Sequence, residues 1–329
     1  MKKVFKIIGI FLGSIVSILI IFVLIVIISG TSFMHYDGNE SLSEWMKNIK
    51  DDTLISEIVI PGSHDAGTYD MLWLGETQTL NIEEQLNVGV RYFDIRVYDK
   101  DDKLIIYHDI INGVDFIPII TSIKQFILDH PSETLLLDFQ HFKNDSQEEV
   151  ISILKNEFYD ENLLIENSTN LSDLEFISNL QLKDARGKCI IFWGDRSSDN
   201  SSYLFLRNND DCSHTNMSLN SYYLGDFHKG DVNIFLSGAH SIYFANIIDK
   251  IKNEHKGIFV LQTQLTDGNL VFGPWSRERS NDEELDKYII NLKNSSNLQY
   301  LNVIMRDFVN YQKCKDIIDL NYYKNNVNE

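Results

Sequence analysis

The stretch IPGSHDAGTYD, residues 60–70, sets His64 and Asp65 side by side between two glycines. An imidazole takes or gives a proton near neutral pH, and a carboxylate beside it can hold the charge that results. The glycines permit a sharp turn, so the pair is expected at the exposed end of a strand formed by the preceding run LISEIVI. Three more groups of the same kind are Arg96 in VRYFDIRVY, His108 in LIIYHD and Asp307 in VIMRDFV. Two histidines, two carboxylates and a guanidinium suffice for phosphodiester chemistry without a metal. One imidazole serves as base, the other as acid, and the guanidinium meets the phosphate oxygens. No side chain need form a covalent bond.

Each group also has a plain structural reading. Asp65 could cap the turn, Asp307 could pair with Arg306, Arg96 could pair with Asp94, and a lone strand-end histidine is commonly a satisfied structural residue. What unites the five is their placement. Short apolar runs (LISEIVI, VRYFDIRVY, KLIIYHD, TLLLDFQHF, KCIIFWGD, GIFVLQTQL, LNVIMRDFV) alternate with helical patterns such as IITSIKQFILDH and SQEEVISILKNEFY, the latter opened by Ser146 as a cap. Alternation over about 280 residues predicts an α/β fold, a distorted (β/α)8 TIM-type barrel. All five groups fall near carboxyl ends of strands. In a closed parallel barrel those ends ring one mouth, so residues as distant in sequence as His64 and Asp307 become neighbours. The region 197–233 is too irregular to assign.

The chain has 329 residues, 43% apolar, with a formal charge of -19 and a pI near 4.8. Such acidity excludes nucleic acid as a partner, because phosphate backbones are held by dense Lys and Arg. Cys189, Cys212 and Cys314 are widely spaced and suggest neither a disulfide scaffold nor a zinc site. Upstream of the barrel, MKKVFK is followed by Ile7 to Ile28 without a charge, about 33 Å of helix at 1.5 Å per residue. This predicts one N-terminal transmembrane helix, favoured as an uncleaved anchor over a signal peptide whose cleavage would leave the chain secreted, with its amino terminus cytoplasmic and the rest extracytoplasmic by the positive-inside rule. The domain plan is therefore 1–30 membrane anchor, 31–50 linker and 51–329 barrel.

IPGSHDAGTYD, VRYFDIRVY and LIIYHD followed by IKQFILDHPSETLLLDF resemble, in that order, the X domain of phosphatidylinositol-specific phospholipase C; LKDARGKCIIFWGD and VIMRDFV continue the match over roughly residues 52–325. The resemblance implies a phosphodiesterase acting on inositol lipid at a bilayer, with no cofactor, no metal and no protein partner. His64 would deprotonate the inositol 2-hydroxyl, Asp307 would orient His64, and His108, supported by Asp65, would protonate the departing diacylglycerol oxygen. Arg96 would neutralise charge on the phosphate. Where bacterial members carry basic residues that hold the inositol ring, this chain has Gln140 and Gly194, so Asp138, Gln140, His141, Asp226 and His228 are the candidate headgroup contacts. Two other readings stand beside it: a barrel phosphodiesterase for a glycerophosphodiester or sphingolipid, and a non-catalytic lipid- or glycan-binding barrel.

Overall fold

The computed structural model describes residues 2–31, 41–194, 201–207, 217–223, 256–264 and 273–326, and divides into two units, Met1–Asp37 and Gly38–Glu329. The first unit is a helix, α1 (Lys2–Thr31). Its apolar side chains from Ile10 to Phe22 are exposed, as expected where no polar face exists to turn outward. Its contiguous described side chains cover only residues 9–22, and among the described residues no helix is long and apolar enough to cross a membrane. The structure therefore does not show the expected span.

Among the described residues the second unit is built on ten strands: β1 (Ile60–Ser63), β2 (Tyr92–Asp99), β3 (Leu104–His108), β4 (Ile111–Asp115), β5 (Thr134–Lys143), β6 (Lys188–Trp193), β7 (Leu204–Leu206), β8 (Leu219–Tyr223), β9 (Ile258–Gln262) and β10 (Val303–Arg306). Helices α2 (Ile82–Asn87), α3 (Phe116–Asp129), α4 (Ser146–Leu154), α5 (Asp173–Ser178), α6 (Leu182–Ala185), α7 (Gly273–Asn291) and α8 (Tyr311–Asn326) lie between and after them. Parallel pairing runs in the order β7, β6, β5, β2, β1, β10, β9, β8. A bridge between Arg207 and Leu219 joins the two ends, so the barrel is nearly closed, as the alternating pattern predicts.

Alternation along the strands sorts residues into two cores. Ile60, Tyr92, Leu136, Ile190, Phe205, Leu219, Ile258 and Val303 form one cluster. Val59, Phe259, Leu261 and Ile304, the neighbours of opposite parity, pack instead with Leu285 and Ile289 of α7 and Ile317 and Leu320 of α8. The first set fills the barrel and the second seats its helices. Residues 41–50, expected to be linker, are partly core: Trp45 and Met46 are buried, and the indole of Trp45 donates to the Gly89 carbonyl at 3.0 Å.

Three expectations need correction. The run LISEIVI is mostly not strand: Ile55–Glu57 is a single 3-10 turn, whose flanking carbonyls, Ile55 and Ile58, accept from the side chain of Asn302. LIIYHD is not a barrel strand but the first arm of the antiparallel hairpin β3–β4, laid on β2; the link 100–103 is too short for a parallel crossover. Ser146 does not cap α4, because its hydroxyl donates to the Val97 carbonyl at 3.2 Å. β7 and β8 fall in the stretch left unassigned from sequence, and both are short. Cys189 and Cys314 are buried free thiols.

The glycines of the opening motif act differently from expectation. A Cβ on Gly62 would lie 2.9 Å from Val303 Cγ1, 3.0 Å from Tyr92 Cδ1 and 3.1 Å from the Met305 backbone. Gly62 therefore lets β1 sit between β2 and β10, and the left-handed residue in the turn is Asp65 itself, with φ 44°. Aspartate tolerates that region better than most residues. Gly62→Ala should cost about 1–3 kcal/mol of stability through overpacking, read as a lower urea midpoint; an unchanged midpoint would mean that the strands can separate freely.

Candidate active site

His64 and Asp65 follow directly on β1, and the turn is fixed by backbone bonds on both sides. His64 N–H donates to the Arg306 carbonyl at 3.1 Å and Ala66 N–H to the Asp94 carbonyl at 2.8 Å. Gln78 then braces the turn from above. Its amide donates to the carbonyls of His64 at 2.9 Å and Arg306 at 3.1 Å and accepts from Val309 N–H at 3.0 Å. Thr77 adds a hydroxyl bond to the His64 carbonyl at 3.0 Å. The ends of β1 and β10 are thereby held in one frame. Nothing in the spacing of Thr77 and Gln78 announces this, since both bond to backbone.

The catalytic candidates converge within that frame. His64 Nδ1 lies 2.6 Å from Asp307 Oδ1, although 243 residues separate them. Its Nε2 faces Arg96 Nη2 at 3.2 Å, Asp65 Oδ2 at 3.4 Å and Asp94 Oδ2 at 4.0 Å. Arg96 binds Asp65 Oδ1 through Nε at 2.5 Å and Asp94 Oδ2 through Nη2 at 3.1 Å. His108, at the tip of β3, has Nδ1 2.8 Å from the Gly75 carbonyl and Nε2 3.7 Å from Asp65 Oδ2. Two imidazoles thus turn Nε2 toward the same carboxylate, each with Nδ1 tied elsewhere. Folding the hairpin back over the mouth brings His108 there.

The structural readings resolve accordingly. Asp307 does not pair with Arg306; successive residues of a strand point to opposite faces, and Arg306 is held outside the barrel by Asp282 and Asp286, each at 2.5 Å. Lys313 donates to the Asp307 carbonyl at 3.1 Å, linking that outer cluster to the site. Arg96 does pair with Asp94, but with Asp65 as well. Asp94 is a site member that sequence reasoning left as a mere partner; its place two residues before Arg96, on the same strand face, was the available signal.

The electrostatics follow from burial and partners. Burial opposes a charge on His64, but the carboxylates of Asp65 and Asp307 outweigh it and raise its pKa to about 9, with Arg96 pulling the other way. Burial disfavours the Asp94 carboxylate too, yet Arg96 and His64 hold its pKa below the usual value, with a smaller contribution from His141. His64, Asp65 and Asp94 present ligand atoms within 4.8 Å of one another, a spacing that a cation could use. Arg96 contacts all three and supplies positive charge there.

The headgroup candidates divide. Asp138 and Gln140, on one face of β5, are buried; Asp138 pairs with Arg207 Nε at 2.8 Å, accepts from the Tyr92 hydroxyl at 2.5 Å and from the Gln140 amide at 3.2 Å. His141 is exposed and in register with Arg96. Asp226 and His228 lie outside the described residues. Arg207 was not singled out from sequence, because it sits in the stretch that resisted assignment. Beside the mouth, Tyr69 and Trp73 are half-buried, while Leu72 and Ile110 are exposed.

Residues 52–194 match the sequence model of the family described as phosphatidylinositol-specific phospholipase C, X domain. The 1-phosphatidylinositol phosphodiesterase of Listeria monocytogenes is 26% identical over 297 residues, covering 85% of each chain. The enzyme of that name from Staphylococcus aureus is 24% identical over 248 residues, covering 70% of this chain and 72% of its own. PI-PLC X domain-containing protein 2 of Homo sapiens is 30% identical over 122 residues, 27% of this chain and 39% of that one. The solved phosphatidylinositol-specific phospholipase C from Listeria monocytogenes superposes with a TM-score of 0.65 at 22% identity, covering 85% of this chain and 98% of its own, a likeness of fold.

A His64 that keeps its proton to about pH 9, against 6.5 ordinarily, stabilises the folded state in its charged form. That stabilisation is complete below about pH 6.5 and is lost as pH rises through about 9. Urea midpoints should fall across this window, and Asp307→Asn should flatten the fall. A variant with the wild-type profile would remove Asp307 from the account of His64.

Proposed function

We propose, on the premise that residues 52–194 belong to the phosphatidylinositol-specific phospholipase C X-domain family, that this chain cleaves phosphatidylinositol-type lipids by internal transesterification. The observation that carries the reading is the shared carboxylate: Nε2 of His64 and of His108 both face Asp65 Oδ2, with the Arg96 guanidinium alongside. Such an array suits a reaction in which one proton is taken and another given on either side of a single phosphorus.

In the reacting state His64 is neutral and donates Nδ1–H to Asp307, leaving Nε2 as acceptor. It takes the proton of the inositol 2-hydroxyl as that oxygen attacks the adjacent phosphorus. The bond from phosphorus to the diacylglycerol oxygen breaks, and the leaving oxygen receives the Nε2 proton of His108. The products are diacylglycerol and a cyclic inositol phosphate. Asp65 stabilises His108 while it is charged and Asp307 stabilises His64 once it is. Arg96 lies against Nε2 of His64, where phosphate oxygens must come, and meets the charge growing on them. We read Arg96 as taking the place of a divalent cation among His64, Asp65 and Asp94. Asp138, Gln140 and His141 belong to the headgroup side of the mouth in this reading. Asp226 and His228 remain candidates from sequence for the same task.

The bilayer enters the proposal through two features. The uncharged run from Ile7 to Ile28, exposed and helical where it is described, is the segment proposed to anchor the chain, with the barrel extracytoplasmic. Leu72 and Ile110, 54% and 88% exposed, flank the mouth on the loop and the hairpin tip that hold His108. They are placed to meet lipid. A tethered enzyme needs no basic surface to reach its membrane, which reconciles the acidic composition with a lipid substrate.

Phosphorus NMR of the full chain with phosphatidylinositol in mixed micelles and excess EDTA should show a cyclic phosphodiester, abolished in His64→Ala and in His108→Ala. Turnover restored only by a divalent metal would overturn the role given to Arg96 and favour the metal-dependent phosphodiesterase; silence with every metal would leave the binding barrel. Because His64 must lose its proton to act as base, kcat/KM should rise with pH toward about 9. Asp65→Asn should move that limb to lower pH while lowering the plateau. A limb that stays in place would mean that Asp65 does not set the charge of His64.

A further inference from the structure

The peptide unit between Asp307 and Phe308 is gripped at both poles. Its N–H donates to the Thr77 carbonyl at 2.7 Å, and its C=O accepts from Lys313 Nζ at 3.1 Å. Phe308, the residue it leads into, has φ 47° and is buried. A bulky side chain is an outlier in that region, and such a conformation persists only where the surroundings over-determine it. The two bonds on this peptide, with Gln78 on the amide that follows, supply that restraint. A rotation of the peptide would swing the Asp307 side chain with it, against a contact of 2.6 Å with His64 Nδ1.

Thr77 does its part through backbone, whereas Lys313 acts through its side chain and from an unfavourable position. It is 5% exposed, and its N–H donates to the Asn310 side chain at 2.9 Å. That bond places it in the first turn of α8, where the helix dipole opposes positive charge. A buried ammonium must also be paired to stay charged. The pairing comes from α7, with Glu278 Oε1 at 3.1 Å and Asp282 Oδ1 at 2.8 Å. These two acids stand at i and i+4 on one helix face, and Asp286 continues the row to Arg306. An ammonium has three protons, and two oxygens of α7 and the Asp307 carbonyl surround this one. Neutralising α7 alone would not require the third contact, because Arg306 already reaches Glu278, Asp282 and Asp286.

We propose that Lys313 is a positioning residue for the reaction: seated on Glu278 and Asp282, it holds the 307–308 peptide in the orientation that aims the Asp307 carboxylate at His64. The proposal rests on the transesterification reading for its effect on turnover, and it ties the general base of that reading to two helices outside the barrel wall. Lys313 acts from behind Asp307 and not from the mouth. Its effect therefore falls on the chemical step and not on lipid binding. Asp282 is the accessible part of the seat, with 23% of its side chain exposed, while Glu278 is buried.

The full-length chain with Lys313→Met, Lys313→Arg and Asp282→Asn supplies the test, and thermal melts show which variants fold. With phosphatidylinositol in mixed micelles, Lys313→Met should lower kcat at least about tenfold and leave KM within about twofold. Lys313→Arg should recover part of the loss, since a guanidinium can donate to the same carbonyl, and Asp282→Asn should show a smaller loss of the same kind. Proton NMR without substrate separates the positioning from the reaction. At about pH 6, where His64 is charged, the Nδ1 proton facing Asp307 should give a far-downfield resonance, assigned by its absence from His64→Ala. Lys313→Met should move or broaden that resonance and Lys313→Arg should restore it. A folded Lys313→Met with the wild-type resonance overturns the proposal, whatever its kcat. A resonance displaced in Lys313→Met, in a chain that cleaves no phosphatidylinositol, supports the positioning and sinks the reaction. If Lys313→Met does not fold, Asp282→Asn decides: a displaced resonance supports the proposal, and an unchanged one overturns it.

Discussion

Arg96 is the charge on which the rest of the site depends. Asp65, Asp94 and the Nε2 face of His64 meet in a buried space, and two carboxylates packed this closely repel one another unless positive charge stands between them. The guanidinium provides it in a fixed planar fork, reaching Asp65 through one nitrogen and Asp94 through another. Its placement needs no loop. Arg96 is a residue of β2, and its direction is set by the ladder that also points Asp94 into the barrel.

From that pair outward, each partner is positioned by a different part of the fold. His64 comes from β1, which Gly62 allows to sit tightly between β2 and β10. Asp307 follows β10 and is kept in place by Gln78, which bonds the backbone on either side of it, and by Lys313, which donates to its own carbonyl. His108 arrives on a hairpin that is not part of the barrel wall. The two histidines consequently differ in how firmly they are held. His64 is buried and bonded to a carboxylate, whereas His108 is braced by a single loop carbonyl, that of Gly75. In the proposed reaction, the group that meets the leaving lipid is the one mounted on the less confined element.

Much of this was legible in the residues, for reasons that can be stated. The five principal groups were found because chemistry-bearing side chains at strand ends interrupt an otherwise apolar alternation. Asp94 was undervalued because a carboxylate two positions from an arginine reads equally well as its private partner. Gln78, Thr77 and Lys313 were missed because they act on backbone carbonyls, and no sequence pattern marks a side chain whose partner is a peptide group more than two hundred residues away, as for Gln78 and Arg306. The hairpin β3–β4 read as a barrel strand since its alternation is identical to one; only the length of its connection to β2 betrays it. Arg207 was out of reach because β7 is too short to show a period. The motif glycines misled in an instructive way: the conformational freedom attributed to them belongs to Asp65, and what Gly62 supplies is room.

The pairing of β1 with both β2 and β10 has a consequence in time. Strand β2 follows β1 closely in synthesis, but Asp307, directly after β10, emerges 243 residues after His64. At roughly 5–20 residues per second a ribosome needs on the order of 12–50 seconds to make that stretch. Throughout that interval β1 keeps one open edge, and Nδ1 of His64 has no Asp307 carboxylate behind it. The barrel cannot close until β10 has been translated. The mouth of the barrel is thus incomplete in the nascent chain until its last described strand has been made.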